Sequence, residues 1–274
     1  MRLRLRHETH YSYEEPARGA IQILRLTPRN HASQFVRRWR VEIDADCRLE
    51  RDEDAYGNIL HTFSVDGPIE HMRILVDGEI DTNGDDGIIR GTYERFPLPF
   101  WCSETALTRP DAALAGFARD LAGQEGGDVL AFLHKLKTAI HRDFAFVPGA
   151  THAGTTALEA FHAKKGVCQD FAQVFIAAAR AYAVPARYVS GYFLRSDSIE
   201  QEAGHAWAEA YVAGIGWIGF DPANDTCVDE RHIRIATGRD YLEAAPIRGA
   251  QAGGAGERLT VAVTLSEGRA ISQQ

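Results

Sequence analysis

The first 95 residues contain short apolar runs with no helical period. Leu3 and Leu5 begin the series, and Ile74 and Val76 close it. The runs are separated by turn signals, which are Glu15-Pro16, Thr27-Pro28, Tyr56-Gly57-Asn58 and Asp66-Gly67-Pro68. Such a pattern predicts many short strands, and we expect an all-β, sandwich-like domain.

The pattern changes to a helical period after residue 98. Phe96-Pro97-Leu98-Pro99-Phe100 is expected to be a stiff connector, because proline disfavours both strand and helix interiors. Two amphipathic helices are predicted over residues 111–121 and 128–141. Thr156 and Glu159 have the spacing of a capping box and predict the start of a short third helix.

A fourth helix is predicted from Cys168 to Tyr182, where apolar residues recur at helical spacing before Val184-Pro185 ends the run. Cys168 therefore lies in the first turn of a helix. Free backbone N–H groups there stabilise a thiolate and can bind the oxyanion of an attacked carbonyl. The alternative is a buried structural cysteine at a helix start.

The remaining chain predicts strands again, over residues 187–194, 205–212 and 217–221. In the second of these, Ala206, Ala208, Ala210 and Val212 share one face, and His205, Trp207, Glu209 and Tyr211 share the other. The glycine-rich residues 249–256 predict a mobile tail, and residues 259–265 predict one last strand.

A hairpin between the strands that contain His205 and Asp221 would bring these two residues together. Folding about Ala213 places them opposite each other, with Cβ atoms roughly 5 Å apart. A thiol enzyme needs a base and a group that orients the base, so Cys168, His205 and Asp221 form a candidate triad. Taken singly, His205 could be structural and Asp221 could end a strand.

Composition limits the other functions. The 274 residues are 45% hydrophobic with a net charge of −8, which argues against a general nucleic-acid binder. The four cysteines are far apart, and no signal peptide or membrane span is recognisable, so we expect a cytoplasmic protein. The acidic segment 81–87 lacks calcium-loop spacing, and His7 and His10 fall on opposite faces of a strand. We therefore expect no metal and no cofactor.

Four motifs resemble the bacterial transglutaminase-like superfamily. They are Gly166-Val167-Cys168-Gln169-Asp170-Phe171-Ala172, Ala186-Arg187-Tyr188-Val189-Ser190-Gly191-Tyr192, His205-Ala206-Trp207-Ala208-Glu209 and Gly216-Trp217-Ile218-Gly219-Phe220-Asp221-Pro222. Tyr11-Ser12-Tyr13, residues 24–29 and Tyr56-Gly57-Asn58 resemble the amino-terminal β domain of bacterial members. The animal calcium sites have no recognisable counterpart.

This resemblance implies an α+β protein with a papain-like core, in which Cys168 is the nucleophile, His205 the base and Asp221 the orienting residue. We expect a β domain at 1–98, a catalytic core at 99–248 and a glycine-rich tail with a final strand at 249–274. The backbone N–H of Cys168 is the one oxyanion donor that the sequence suggests.

The leading hypothesis is a cysteine protease or other amide or isopeptide hydrolase that works through a Cys168 thioester on a peptide or protein substrate. One alternative is a transglutaminase that passes a glutaminyl acyl group to an amine. The other is a binding module with a vestigial triad. No nucleic-acid or membrane partner is expected, and the substrate and oligomeric state stay open.

Overall fold

The computed structural model describes residues 1–124, 126–196, 200–201 and 203–268. Its first part is a sheet built on two long antiparallel strands, β1 (Arg2–Thr27) and β4 (Ile59–Thr82). Strands β2 (Gln34–Ile43) and β3 (Glu50–Glu53) both pair with β4. Burial alternates along most of β1, because successive side chains of a strand point to opposite faces and one face packs in the core.

Two predicted turns lie inside these long strands instead of ending them. Glu15-Pro16 falls where the pairing of β1 with β4 shifts register between Ser12 and Ala17, and Asp66-Gly67-Pro68 lies in β4 at the next shift, between Ala17 and Gly19. Both halves of the strands bury side chains in a single hydrophobic cluster, which includes Leu5, Leu24 and Phe63. The prolines therefore mark an irregularity in continuous strands, and the expectation of short strands was wrong.

The carboxyl-terminal residues belong to the same sheet. Strand β14 (Ile247–Gly253) pairs with the second half of β1, and β15 (Arg258–Glu267) pairs with the first half. The short strand β9 (Glu200–Gln201) pairs with β15. Glycine content predicted a mobile segment over 249–256, but backbone pairing orders most of it; the final strand is present. Residues 269–274 lie outside the described part, and the domain boundaries at 98 and 248 stay predictions.

Four helices form where the apolar period predicts them. They are α1 (Ala112–Gly123), α2 (Val129–Asp143), α3 (Ala157–Ala163) and α4 (Cys168–Ala181). Asp111 and Asp128 cap α1 and α2, and the predicted capping box of Thr156 and Glu159 starts α3. The connector forms a 3-10 helix at Leu98–Cys102, and a short α5 (Tyr241–Ala244) was not predicted.

A second, six-stranded sheet carries α4 on one face. Its main order is β12 (Thr226–Cys227), β11 (Gly216–Asp221), β10 (His205–Val212), β8 (Ala186–Phe193) and β13 (His232–Gly238). Strand β5 (Ile88–Ile89) also pairs with β11, while β6 (Ala145–Phe146) and β7 (Lys165–Gly166) pair with each other in parallel.

The alternation predicted for β10 sets the orientation of this sheet. Ala206, Ala208, Ala210 and Val212 pack in the same hydrophobic cluster as α4. Trp207 and Glu209 therefore project from the opposite face, where both are fully buried. Strand β13 contributes Ile233 and Ile235 to the core of the first sheet, so the two sheets share buried surface. None of the helices in the described residues has the length and apolar character needed to cross a membrane.

Candidate active site

Cys168 is the first residue of α4, as the sequence predicts. Asp170 holds this helix start, because its Oδ2 accepts hydrogen bonds from the Val167 N–H at 2.7 Å and from the Thr151 hydroxyl at 2.7 Å. Gly166 permits this arrangement, since a Cβ there would lie 2.5 Å from Asp170 Oδ2. Cys168 is partly exposed.

Strands β10 and β11 form the predicted hairpin, but its register differs from the expectation. Ala208 pairs with Phe220 and Val212 with Gly216, so the turn is centred on Gly214 and not on Ala213. Positive φ angles at Gly214 and Gly216 fit this turn, and the sequence Ala-Gly-Ile-Gly did not by itself decide between the two centres. Asp221 consequently lies diagonally across from His205 and not directly opposite it.

The side chains of His205 and Asp221 nevertheless meet. His205 Nε2 lies 2.7 Å from Asp221 Oδ2, and the carboxylate is completely buried while the imidazole is 11% exposed. Because Asp221 is a hydrogen-bond acceptor, Nε2 carries the proton of this pair. Cys168 lies close enough to His205 to contribute to the raised pKa of its imidazole, and Nδ1 is the ring nitrogen left to face the thiol.

Electrostatics favour the charged forms of this pair. Burial alone would lower the pKa of His205, but the charges and hydrogen bonds of Asp221 and Cys168 outweigh burial and raise this pKa well above its ordinary value. Burial would likewise raise the pKa of Asp221, yet His205 and His232 hold it well below the usual range. The arrangement therefore supports an imidazolium next to a carboxylate at neutral pH.

Asp221 has further partners that the sequence analysis missed. His232 Nε2 lies 3.3 Å from Oδ2, and Asn224 Nδ2 donates to the same oxygen at 2.6 Å. The backbone N–H groups of Ala223 and Asn224 donate to Oδ1 at 3.0 and 3.2 Å. We call His205, Asp221 and His232 the histidine cluster. The position of His232 beside Asp221 depends on the pairing of β13 with β8, and no local sequence pattern predicts that pairing.

On its other side, His232 contacts a second carboxylate. Its Nδ1 lies 3.0 Å from Asp229 Oδ1 and 3.1 Å from the Asp229 backbone nitrogen. The ring is buried and packs edge-on against Trp207, with centroids 5.2 Å apart. His232 is thus held firmly between Asp221 and Asp229 and limits how the Asp221 carboxylate can turn.

The histidine cluster also has a donor set that metals accept. One ligand atom from each residue falls within 4.8 Å of the others. Zinc prefers nitrogen and carboxylate ligands at about 2.0–2.2 Å around one centre. Here the atoms point at one another across hydrogen bonds of 2.7 and 3.3 Å, so the geometry is that of a hydrogen-bonded cluster and not of ligands directed at one metal centre.

Family models match most of the two parts of the chain. Residues 3–81 match the bacterial transglutaminase-like N-terminal region, and residues 115–222 match the transglutaminase-like superfamily core. The core match contains Cys168, His205 and Asp221. Members of this superfamily are typically enzymes, either cysteine peptidases or transglutaminases.

Individual proteins agree with these family matches. An uncharacterized protein of Mycobacterium tuberculosis is 33% identical over 90% of this chain and 87% of its own length. A protein-glutamine gamma-glutamyltransferase of Pseudomonas aeruginosa is 29% identical, over 49% of this chain and 22% of that protein.

Among solved structures, that of a "putative cysteine protease" from Cytophaga hutchinsonii shares the fold. It covers 97% of this chain and 90% of its own with a TM-score of 0.77, at 19% identity. The α+β fold, the amino-terminal β domain and the sequence relatives lead to one assignment: the chain belongs to the bacterial transglutaminase-like superfamily.

Proposed function

We propose that this protein is a thiol-dependent amide-bond hydrolase, a cysteine peptidase or isopeptidase, with Cys168, His205 and Asp221 as its catalytic triad. The observation that carries the proposal is the 2.7 Å contact between His205 Nε2 and the buried Asp221 carboxylate, with Cys168 near enough to His205 to contribute to the raised pKa of the imidazole. The proposed base therefore lies between the proposed nucleophile and the proposed orienting group.

In the acylation step, the Cys168 thiolate attacks the carbonyl carbon of an amide. The carbonyl oxygen takes up the electron pair, and the backbone N–H of Cys168 at the start of α4 donates to this oxyanion. Collapse of the intermediate breaks the C–N bond, and His205 Nδ1–H protonates the departing amine. The products are a thioester on Cys168 and a neutral His205 whose Nε2–H still faces Asp221.

In the deacylation step, water attacks the thioester carbonyl while His205 Nδ1 accepts its proton. The C–S bond breaks, the carboxylic acid leaves, and the thiolate–imidazolium pair is restored. Asp221 keeps the imidazole in one tautomer and orientation throughout and stabilises its positive charge. Its two oxygens can do this because five donors surround them.

Acyl transfer to an amine is the second candidate function, and the similarity to the Pseudomonas aeruginosa gamma-glutamyltransferase favours it. Transfer needs a site that binds the amine and excludes water. Three aromatic residues of β10 and β11 are candidates for its walls, but Trp207 and Trp217 are buried and Tyr211 is half-buried. Hydrolysis requires no such amine-binding site, so we place it ahead of acyl transfer as the proposed activity.

The proposed substrate is a peptide or protein with an amide or isopeptide bond. The proposed location is the cytoplasm, supported by four cysteines that all stay unpaired.

The test is incubation with a glutamine-containing peptide library and a labelled primary amine. Mass spectrometry should find an acyl adduct on Cys168, with release of ammonia or peptide fragments exceeding incorporation of the amine. Cys168→Ala should remove both products, and Cys102→Ala should remove neither. Incorporation above hydrolysis at millimolar amine would reverse the ranking, and turnover by Cys168→Ala would refute the triad.

A further inference from the structure

A cavity of about 590 Å³ lies between the loops of the first sheet and the polar face of the second. Residues 27–31, 56–59 and 91–96 cover it, and Arg187 and Arg234 line it from the second sheet. Arg187 pairs in register with Glu209, which is four residues beyond His205 on β10, or ~13 Å along the strand. The triad residues do not line this cavity, and its volume suits a small molecule.

The walls of this cavity contain buried polar atoms that lack a partner. Within the described residues these are Thr27 Oγ1, His31 Nε2, His61 Nδ1, Trp101 Nε1 and Arg187 Nη2. The Trp101 and Arg187 atoms can only donate. Unpaired buried donors are costly and rare in folded proteins, so several around one cavity indicate a missing acceptor.

Arg187 is the firmest of these donors because its guanidinium group is held on every other side. Nε donates to Glu209 at 2.6 Å and Nη1 donates to Glu94 at 2.8 Å, while the group stacks on Trp217 at 4.0 Å. The side chain is 3% exposed. Its remaining nitrogen, Nη2, is therefore a fixed donor with no partner among the described residues.

His31 supplies a second donor of defined identity. The backbone N–H of Ser33 donates to His31 Nδ1 at 3.3 Å, which leaves the ring proton on Nε2. Burial, with Arg234 and Arg187 nearby, lowers the pKa of His31 to about 4, so the ring is neutral at physiological pH and Nε2 remains an N–H donor. His31, Arg187 and Arg234 all line this cavity.

The charge around the cavity is positive. At the floor, Arg187 and Arg234 share the buried Glu209, and we call these three residues the arginine cluster. At the rim, Arg29 and Arg95 share the single carboxylate of Glu53. Glu94, which also pairs with Arg187, balances the floor, so the excess of positive charge toward the opening comes from the two guanidinium groups at the rim that share one carboxylate.

From these contacts we propose that the cavity binds a small oxyanion, a carboxylate or a phosphate, with its oxygen atoms on Arg187 Nη2 and His31 Nε2. Two oxygen atoms of a carboxylate or a phosphate can accept these two hydrogen bonds at once, and the negative charge complements the surplus positive charge. Phe96, Tyr56 and Trp101 provide aromatic walls for an apolar body attached to that group. This site is independent of the proposed chemistry at Cys168.

The experiment is isothermal titration of the full chain with two probes, inorganic phosphate and benzoate. Benzamide, which has the shape of benzoate without its charge, is the control ligand. We expect phosphate or benzoate to bind with a Kd of about 1 mM or lower. The stronger probe distinguishes a phosphoryl from a carboxylate ligand. No binding of either probe at about 10 mM, or equal binding of benzamide, would overturn the proposal.

Variants locate the site. Arg187→Lys keeps the charge beside Glu209 and Glu94 but removes Nη2, and it should weaken binding about tenfold or more. Arg258→Lys, a substitution at an exposed arginine on β15, is its matched control. If circular dichroism shows that Arg187→Lys is unfolded, His31→Ala decides, with His10→Ala as control. Unchanged affinity in the folded variants would refute the site.

Discussion

Strand β10 contributes His205 to one buried cluster and Glu209 to another. Each cluster has a carboxylate between two basic side chains, but the basic side chains differ in chemistry. In the histidine cluster, the Asp221 carboxylate lies between two histidines; in the arginine cluster, the Glu209 carboxylate lies between two arginines. Both carboxylates are completely buried. The basic partners differ, because a histidine can give up and take back its ring proton during a reaction and an arginine does not.

Because of this difference, the histidine cluster can take part in proton transfer, whereas the arginine cluster keeps a constant charge. The histidine cluster extends through His205 to Cys168 at a partly exposed helix start. The arginine cluster has no titrating partner; despite its burial, the two arginines lower the pKa of Glu209 to about 2, and its charge is constant at neutral pH. A buried carboxylate therefore indicates catalysis only when its partner can change protonation state.

The sharpest test of the comparison is His205→Ala. This change removes the proposed base, so kcat/KM on an amide substrate should fall on the order of 10³-fold or more. Asp221→Ala should be less severe, because it removes orientation and leaves the base in place. The exposed His10 offers a matched His10→Ala control. Near-normal turnover by His205→Ala would contradict the triad.

A substitution in the arginine cluster should lower the stability of the fold and leave the chemical step unchanged. Glu209→Gln leaves two buried guanidinium groups without their shared charge, which should lower the free energy of unfolding by about 3–5 kcal/mol. Urea unfolding measures this loss, and Glu42→Gln, at a partly exposed pair with Arg40, should cost less than about 1 kcal/mol. A stable Glu209→Gln protein with reduced kcat would reverse the assignment.

At low pH, the difference in unfolding free energy between the wild type and Glu209→Gln should disappear. The pKa of Glu209 is lowered from 4.5 to about 2 in the folded protein, so its stabilising effect is present above the unfolded pKa and is lost as the pH falls through the folded pKa. The gap in unfolding free energy between the wild type and Glu209→Gln should narrow from about pH 4.5 toward pH 2. If this difference in unfolding free energy stays constant over the range, the charge of Glu209 is not what stabilises the fold.

His232 should have a smaller effect, since it acts on Asp221 and does not contact Cys168. His232→Leu removes one of five donors to Asp221 and should lower kcat/KM about tenfold. His232→Gln, whose amide can still donate, should retain more activity and shift the pH–rate profile less. A merely structural role would lower stability in both variants without moving the profile; His7→Leu, at another buried histidine, is the control.

Local patterns predicted much of the fold and the elements that carry the three candidate triad residues. The helical period after Cys168, the capping box at Thr156 and the alternation along β10 all correspond to observed elements. These features depend on neighbouring residues, whose capping and periodicity are physical preferences of the chain itself. The hairpin turn was misplaced by one residue, because both glycines in Ala213-Gly214-Ile215-Gly216 can adopt a positive φ.

What the amino-acid sequence determined by itself is therefore helices α1 to α4, the hairpin strands and the residues capable of chemistry, with Cys168 at a helix start and His205 and Asp221 on successive strands. Tertiary structure alone decided which distant groups share a carboxylate. His232 reaches Asp221 because β13 pairs with β8, and Arg234 reaches Glu209 through the same pairing. Long-range strand pairing decides such contacts, and its register follows from the packing of both sheets and not from any local preference.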